Sequence, residues 1–202
     1  MSDEITQKHL SRARVRGAPS SIPGASGLVG SYGFEETQRQ AVRALAIKLS
    51  RDFSIAEVRE GAAKLAQLAA VSGLTVLEGA LIALDGDPTE VVPHEWSWKL
   101  LLAVRGPAKA DEAAGVTVDR LFAGSYLETV THGGFPDLRN LYTFFLGHFL
   151  PQRRQELTRP VIYHRVLEGI DRDDPAALTL AVFLPFSMTL KEPARLLTRE
   201  EL

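Results

Sequence analysis

The feature that most constrains this chain is an order of periodicities that occurs twice. Arg43 to Ser50 reads RALAIKLS, in which Leu45, Ile47 and Leu49 alternate with smaller or polar residues, the period of a half-buried strand. Ser54-Ile55-Ala56-Glu57 then has the form of a capping box, with a serine oxygen for an early backbone N–H and a glutamate to reach back to the cap. The helix it opens carries Val58, Ala62, Leu65 and Ala69 on one stripe, with Leu68 beside it, and Gly73 suits the left-handed position just past its end. Two apolar runs follow, VLEGALIALDG and WSWKLLLAVRG, separated by the turn-rich DGDPTEVVPHE. The first half therefore predicts strand, helix, strand, strand.

The second half repeats that order. GVTVDRLFAGSYLETVTH contains an alternating strand, and from Pro136 onward Leu138, Leu141, Tyr142, Phe145 and Phe149 fall at helical spacing. Pro136 suits a first helical turn, where its missing N–H costs nothing, and Pro151 is expected to close the helix. RPVIYHRVLEG and LTLAVFLPF then supply two strands around the turn GIDRDDPAA. The closing runs of the two halves, LLLAVRGP and LTLAVFLP, are alike. A duplicated β-α-β-β unit of the α+β class is the economical reading, because each half alone leaves a sheet face and a helix stripe uncovered.

Outside the repeats the chain changes character. Gly17 to Gly33 is GAPSSIPGASGLVGSYG, a composition that buries too little surface to offset its ordering entropy. Residues 1–35 are expected to be a flexible arm, 36–190 a domain of two repeats (about 40–105 and 115–187), and 191–202 a tail. The glycines at 24, 27, 30 and 33 match neither the dinucleotide fingerprint nor a phosphate-cradling loop. The loop GPAKADEAAG, Gly106 to Gly115, reads as a solvated connection between the halves.

Composition removes several classes of function. With 23 basic and 25 acidic residues among 202, a net charge of -2, there is no basic field for a phosphate backbone, and direct nucleic-acid binding is not expected. The absence of cysteine excludes disulfides, thiolate metal sites and a cysteine nucleophile. His9, His94, His132, His148 and His164 lack paired metal-ligand spacing, so neither a metal nor a cofactor is expected. No Gly-x-Ser-x-Gly elbow anchors a serine triad. No apolar run reaches the roughly 18 to 20 residues of a membrane span and no signal-like segment opens the chain, which predicts a soluble, cytoplasmic protein.

The run AGSYLETVTHGGFPDLRNLYTFFLGHFLP resembles the hallmark segment of GyrI-like small-molecule-binding domains, the effector-binding module of MerR-type and AraC-type multidrug regulators. His132, Gly134 and Phe135 take the family's His, Gly and aromatic places, with one residue deleted before Phe135, and Leu138, Tyr142 and Phe145 fall on its helix positions. The later RPVIYHRVLEGIDRDDPAALTLAVFLPF resembles the closing strand pair, so the likeness spans about residues 40 to 187. It implies two SHS2-like halves forming one antiparallel sheet, both helices on one face, and a ligand cleft between the helices. It also implies binding of hydrophobic, often cationic, small molecules, with hydrolysis of reactive compounds in some relatives. One departure is specific: where family members carry Pro-x-x-Glu-x-Tyr, this chain has Tyr163 in the acid's place and Arg165 in the tyrosine's.

The residues that would line such a cleft are Trp96, Trp98, Tyr126, Glu128, Tyr142, Phe145 and Tyr163, since small-molecule sites are aromatic with a few placed polar groups. Any of the aromatics also reads as ordinary core, Phe145 most readily. On the strand ahead of Gly133-Gly134, Tyr126, Glu128, Val130 and His132 alternate onto one face, where Glu128 would serve as an anion for a cationic ligand or as a general acid or base; Glu78 is a weaker alternative. His132 is expected to bond nearby backbone and fix the turn. Three functions stay open: a stand-alone domain that senses or sequesters a hydrophobic compound, cations among the candidates; a hydrolase of an electrophilic small molecule using Glu128 or Tyr163; and a protein-interaction role of the gyrase-inhibiting kind.

Overall fold

The computed structural model describes residues 32–86, 88, 96–159 and 161–188. The expected arm up to residue 31, most of the turn after Gly86, Pro160 and the expected tail lie outside the described residues. The α+β class holds. Ten antiparallel strands form the sheet, and two long helices cover one of its faces.

In the first half, β2 (Val42–Lys48) leads into α1 (Ile55–Val71), then β3 (Thr75–Val76), β4 (Leu81–Asp85) and β5 (Ser97–Arg105). The helix starts as the serine predicts, the Glu57 N–H donating to Ser54 Oγ at 3.1 Å. The Glu57 carboxylate does not close the box on its own cap. It accepts from the Ser50 N–H at 2.6 Å and from the Ser50 hydroxyl at 2.5 Å, which ties the helix start to the end of β2 instead. Gly73, at a φ of 65°, turns the chain out of α1 as expected.

The second half repeats the order with β7 (Gly124–Thr131), α2 (Gly134–Phe144), β8 (Gln155–Leu157), β9 (Val161–Glu168) and β10 (Thr179–Met188). Pro151 does not stop the helix. A wide π turn, Phe145–Phe149, follows α2, and a last α-helical turn, Leu150–Gln152, contains the proline. A proline ring collides with the carbonyl four residues earlier in an ordinary helix, and the five-residue spacing of the π turn, seen in the Leu150 N–H donating to the Phe145 carbonyl, makes room for it.

Two further strands bind the halves together. The alternating stretch before Gly133 is two strands, β6 (Val116–Leu121) and β7, broken at Phe122 and Ala123, and Phe34–Arg39 is itself a strand, β1, that begins inside the segment assigned to the arm. Strand order across the sheet is β1-β7-β10-β9-β4-β5-β2-β6. β1 thus precedes β2 in sequence but pairs with the second half, while β6 precedes β7 but pairs with the first. Arg39 faces Gly124 and Val42 faces Leu121, so the pairing advances by three residues on both sides of the break and keeps one register. Residues 34–48 and 116–131 are therefore one antiparallel ribbon that crosses from one half to the other, with β4 against β9 as the second junction.

Each face of the sheet has its own core. On the helix side, Leu45, Leu100, Leu102, Leu127, Val182 and Leu184 meet Val58, Leu65 and Ala69 of α1 and Leu138, Leu141 and Tyr142 of α2. On the other side Ala44, Ala46, Leu81, Ala83, Leu101, Ala103, Tyr126, Tyr163, Ala181 and Phe183 form a second cluster. Among the described residues no helix packs on this second cluster, yet Tyr163 is 1% and Phe183 2% exposed. The alanines leave room beside the larger rings.

Gly134 holds the corner between β7 and α2. Its φ is 57°, and a Cβ there would meet the Pro175 carbonyl oxygen at 1.9 Å. Gly134→Ala combines a left-handed backbone with a backbone collision, and we expect it to lower unfolding free energy by about 2 kcal/mol or more in urea titrations.

Candidate functional site

The helix-side aromatics are packed together. Trp98 lies 5.4 Å from Phe53, 5.8 Å from Phe135 and 5.6 Å from the His164 ring, with Trp96 bridging to Tyr142 at 5.7 Å. Phe145 is fully buried among Tyr32, Phe144 and Phe149. The polar groups inside this core satisfy each other. The His164 Nδ1–H donates to the Ile82 carbonyl at 2.9 Å, which leaves Nε2 to accept from the Tyr142 hydroxyl at 2.5 Å. Burial pushes the Tyr142 phenol up and brings His164 down to about 4. Trp98, Tyr142 and Phe145 therefore fill the space between the helices and the sheet.

The opposite face is built differently. Following the pairing across the strands, Glu35, Glu128, Phe183, Tyr163, Ala83, Lys99 and Lys48 form one transverse row. Side chains at directly paired positions share a face, so the row has carboxylates at one end, a Phe-Tyr-Ala floor in the middle and ammonium groups at the other. This answers the question of Glu128: it stands with Tyr126 on the face away from the helices.

Both charged ends are already paired. Glu128 Oε1 lies 3.5 Å from Arg165 Nη2, the two side chains 28% and 36% exposed. Arg39 is bonded to Glu78. Both guanidiniums rest on the same ring, Arg39 at 4.7 Å and Arg165 at 5.3 Å from the centre of Phe183. At the other end Lys99 sits 3.0 Å from Asp85 and 3.4 Å from Asp119, and its hydrogen bond to Asp85 raises its pKa. The partly solvated pairs of Glu128 with Arg165 and of Lys99 with Asp85 and Asp119 contribute only about 0–1 kcal/mol each, so they can open without unfolding the protein, whereas Arg39 and Glu78 are more enclosed.

Between the ends, a recess of about 130 Å³ is lined by Ala83, Asp85, Lys99, Leu101, Asp119, Arg120, Phe122, Val161 and Tyr163. Arg120 and Arg159 lie over Phe122 at its mouth, 5.2 and 4.5 Å from the ring centre. The two tyrosines beside it are tied to the ribbon crossing. The Tyr126 hydroxyl donates to the Phe122 carbonyl at 2.9 Å, and the Phe122 N–H donates to the Tyr163 hydroxyl at 3.3 Å. Burial raises both phenol pKa values. Neither hydroxyl is poised to give up a proton near neutral pH.

Of the residues expected to form one cleft, the structure places Trp96, Trp98, Tyr142 and Phe145 on the helix side and Tyr126, Glu128 and Tyr163 on the other. His132 does not fix the turn through backbone. It is exposed, with Nδ1 3.5 Å from Thr179 Oγ1, and the corner is held by Thr131, which donates to Asp137 Oδ2 at 2.5 Å and accepts from the Gly133 N–H at 3.4 Å. Phe183, Arg39, Ala83 and Lys99 escaped sequence reasoning. One signal was present for Phe183, which stands where the matching run of the first half has Arg105. Among the described residues no group of three or more His, Asp or Glu is placed to hold a metal, and no helix is long and apolar enough to cross a membrane.

The buried histidine makes stability depend on pH. With a pKa near 4 in the folded chain against about 6.5 unfolded, His164 binds its proton preferentially when unfolded. Its contribution is complete above about pH 6.5 and is lost as pH falls toward 4, by up to about 3 kcal/mol. Urea titrations between pH 7 and pH 4 should show this slope, and His164→Gln should flatten it.

No protein-family model matches the chain, and no curated protein matches it in sequence. Its fold has counterparts among solved structures. It is similar to the EcmrR C-terminal domain at 17% identity and a TM-score of 0.60, covering 78% of this chain and 98% of that domain. The EcmrR chain in a DNA complex gives 15% identity and a TM-score of 0.58 over 78% of this chain and 58% of that one, so this chain spans little more than half of it. A hydrolase from Listeria innocua gives 13% and 0.50, covering 76% of this chain and 91% of that one. At these identities the likeness is one of fold, and the architecture is consistent with the GyrI-like fold that the sequence resembles.

Proposed function

We propose that the chain is a small-molecule-binding domain that takes a hydrophobic compound on the sheet face away from the helices. The observation that carries this reading is the transverse row itself: an aromatic floor, Phe183 and Tyr163, drops to the small Ala83 beside an open recess, with movable charged side chains at both ends. Between the helices and the sheet, Trp98, Tyr142 and Phe145 pack on their neighbours and fill the space. A bound compound would enter the recess at Ala83 beside Tyr163, and it would reach the Phe183 ring only where the arginines that cover it move aside.

Binding is favoured over hydrolysis by the state of the polar groups. The Tyr163 and Tyr126 hydroxyls are committed to the Phe122 backbone, and Glu128 is held by Arg165. Burial raises both phenol pKa values, so neither tyrosine supplies a phenolate as general base near neutral pH, and the Glu128 carboxylate stands beside a cation of its own chain. The GyrI-like resemblance supports the same reading, since binding of hydrophobic compounds is what it implies.

A thermal-shift screen of neutral and cationic aromatic compounds, with product analysis of every hit, tests the proposal. Ligands should raise the melting temperature and be recovered unchanged. Ala83→Met should fill the recess and reduce the ligand-induced shift by more than half without unfolding the protein. Turnover of a hit that disappears in Glu128→Gln would establish the hydrolase instead, and a shift untouched by Ala83→Met would move the site elsewhere.

A further inference from the structure

The floor of the row is already occupied. Phe183 carries two guanidiniums of its own chain, Arg39 and Arg165, and each is backed by a carboxylate, Glu78 and Glu128. An aromatic face with a carboxylate behind it is the arrangement that attracts an organic cation, by the ring quadrupole and by charge. Here the protein's own cations fill that arrangement twice.

The two arginines differ in how firmly they are held. Arg39 comes from β1 and its side chain is only 17% exposed, in contact with Glu78. Arg165 is 36% exposed, and its contact with Glu128 is a loose 3.5 Å. An arginine on a flexible stem and half in water can swing into solvent, and the Glu128 carboxylate and one side of the Phe183 ring would then be open to a ligand.

We propose that Arg165 is a tethered competitor that sets the charge preference of this face: with Arg165 seated on Phe183 and Glu128 the face takes neutral aromatic compounds, and an organic cation enters only by displacing it. The proposal rests on the reading that ligands bind this face. It makes Arg165 a specificity-determining residue, acting by occupying the place of a ligand's positive charge, and it leaves Arg39 with Glu78 as a fixed wall. Discrimination of this kind works by an unfavourable step for the excluded ligand, here the loss of an internal ion pair.

The experiment compares benzyltrimethylammonium with neopentylbenzene, which has the same shape and no charge, by calorimetric titration of the full chain and its variants. The native chain should bind the neutral compound at least fivefold more tightly. Arg165→Met, which keeps most of the side-chain volume, should raise affinity for the cation tenfold or more and change that for the neutral compound less than threefold. Adding Glu128→Gln to Arg165→Met should cancel the gain, because the carboxylate it depends on is gone. Equal gains for both compounds would mean that Arg165 only blocks space, and an unchanged cation affinity would mean that it does not compete; either result overturns the proposal. If the neutral compound binds the native chain and Arg165→Met gains nothing for the cation, the competitor fails while the binding face stands. If neither compound binds any variant that retains the native circular dichroism and melting transition, both fail.

Discussion

The structure depends on one ribbon. Residues 34–48 and 116–131 pair in a single register across the break at 40–41 and 122–123, so each half of the molecule receives its outer strand from the chain segment that leads into the other. Neither half can be completed alone. The crossing point has no regular ladder, and its backbone is satisfied by side chains instead: Phe122 gives its N–H to Tyr163 and its carbonyl to Tyr126. A backbone amide left unpaired there would cost about 1–3 kcal/mol, which explains why two buried tyrosines are spent on one residue.

The crossing also decides the chemistry of the two faces. The halves are joined at both the ribbon and the β4–β9 pair, and the sheet face away from the helices carries alanines and a few rings. The helix side becomes a conventional core, where even His164 and Tyr142 satisfy one another and are withheld from solvent. The other side keeps charged residues that stand partly in water, and there the charges pair across strands. The ion pairs of this face are a consequence of how the strands of the two halves are joined.

The sequence was read well where local periodicity carries the information. The β-α-β-β order, the Ser54 cap, the exit at Gly73 and the corner at Gly134 are all set by neighbours within a few residues, and the structure has each of them. It was read less well where a partner lies far along the chain. Glu57 turns to Ser50 because β2 ends beside the helix, and Pro151 stays helical because a π turn precedes it. β1 was overlooked as the edge of a flexible arm, since its pairing partner is about ninety residues away and FEETQR carries little apolar pattern of its own.

The candidate site shows the same division. Alternation along β7 placed Tyr126 and Glu128 on one face, as the structure has them. Alternation is a property of a single strand, so it says which residues share a face and nothing about which face two different strands have in common. Only the pairing of β7, β10, β9, β4 and β5 sets Glu128, Phe183, Tyr163, Ala83 and Lys99 in one row and separates them from the tryptophans. The sequence by itself determined the repeats, the elements and the sidedness within each strand, because these follow from the geometry of one backbone. The tertiary structure decided which faces meet, and with them which charges pair, because those depend on register between segments that local rules do not connect.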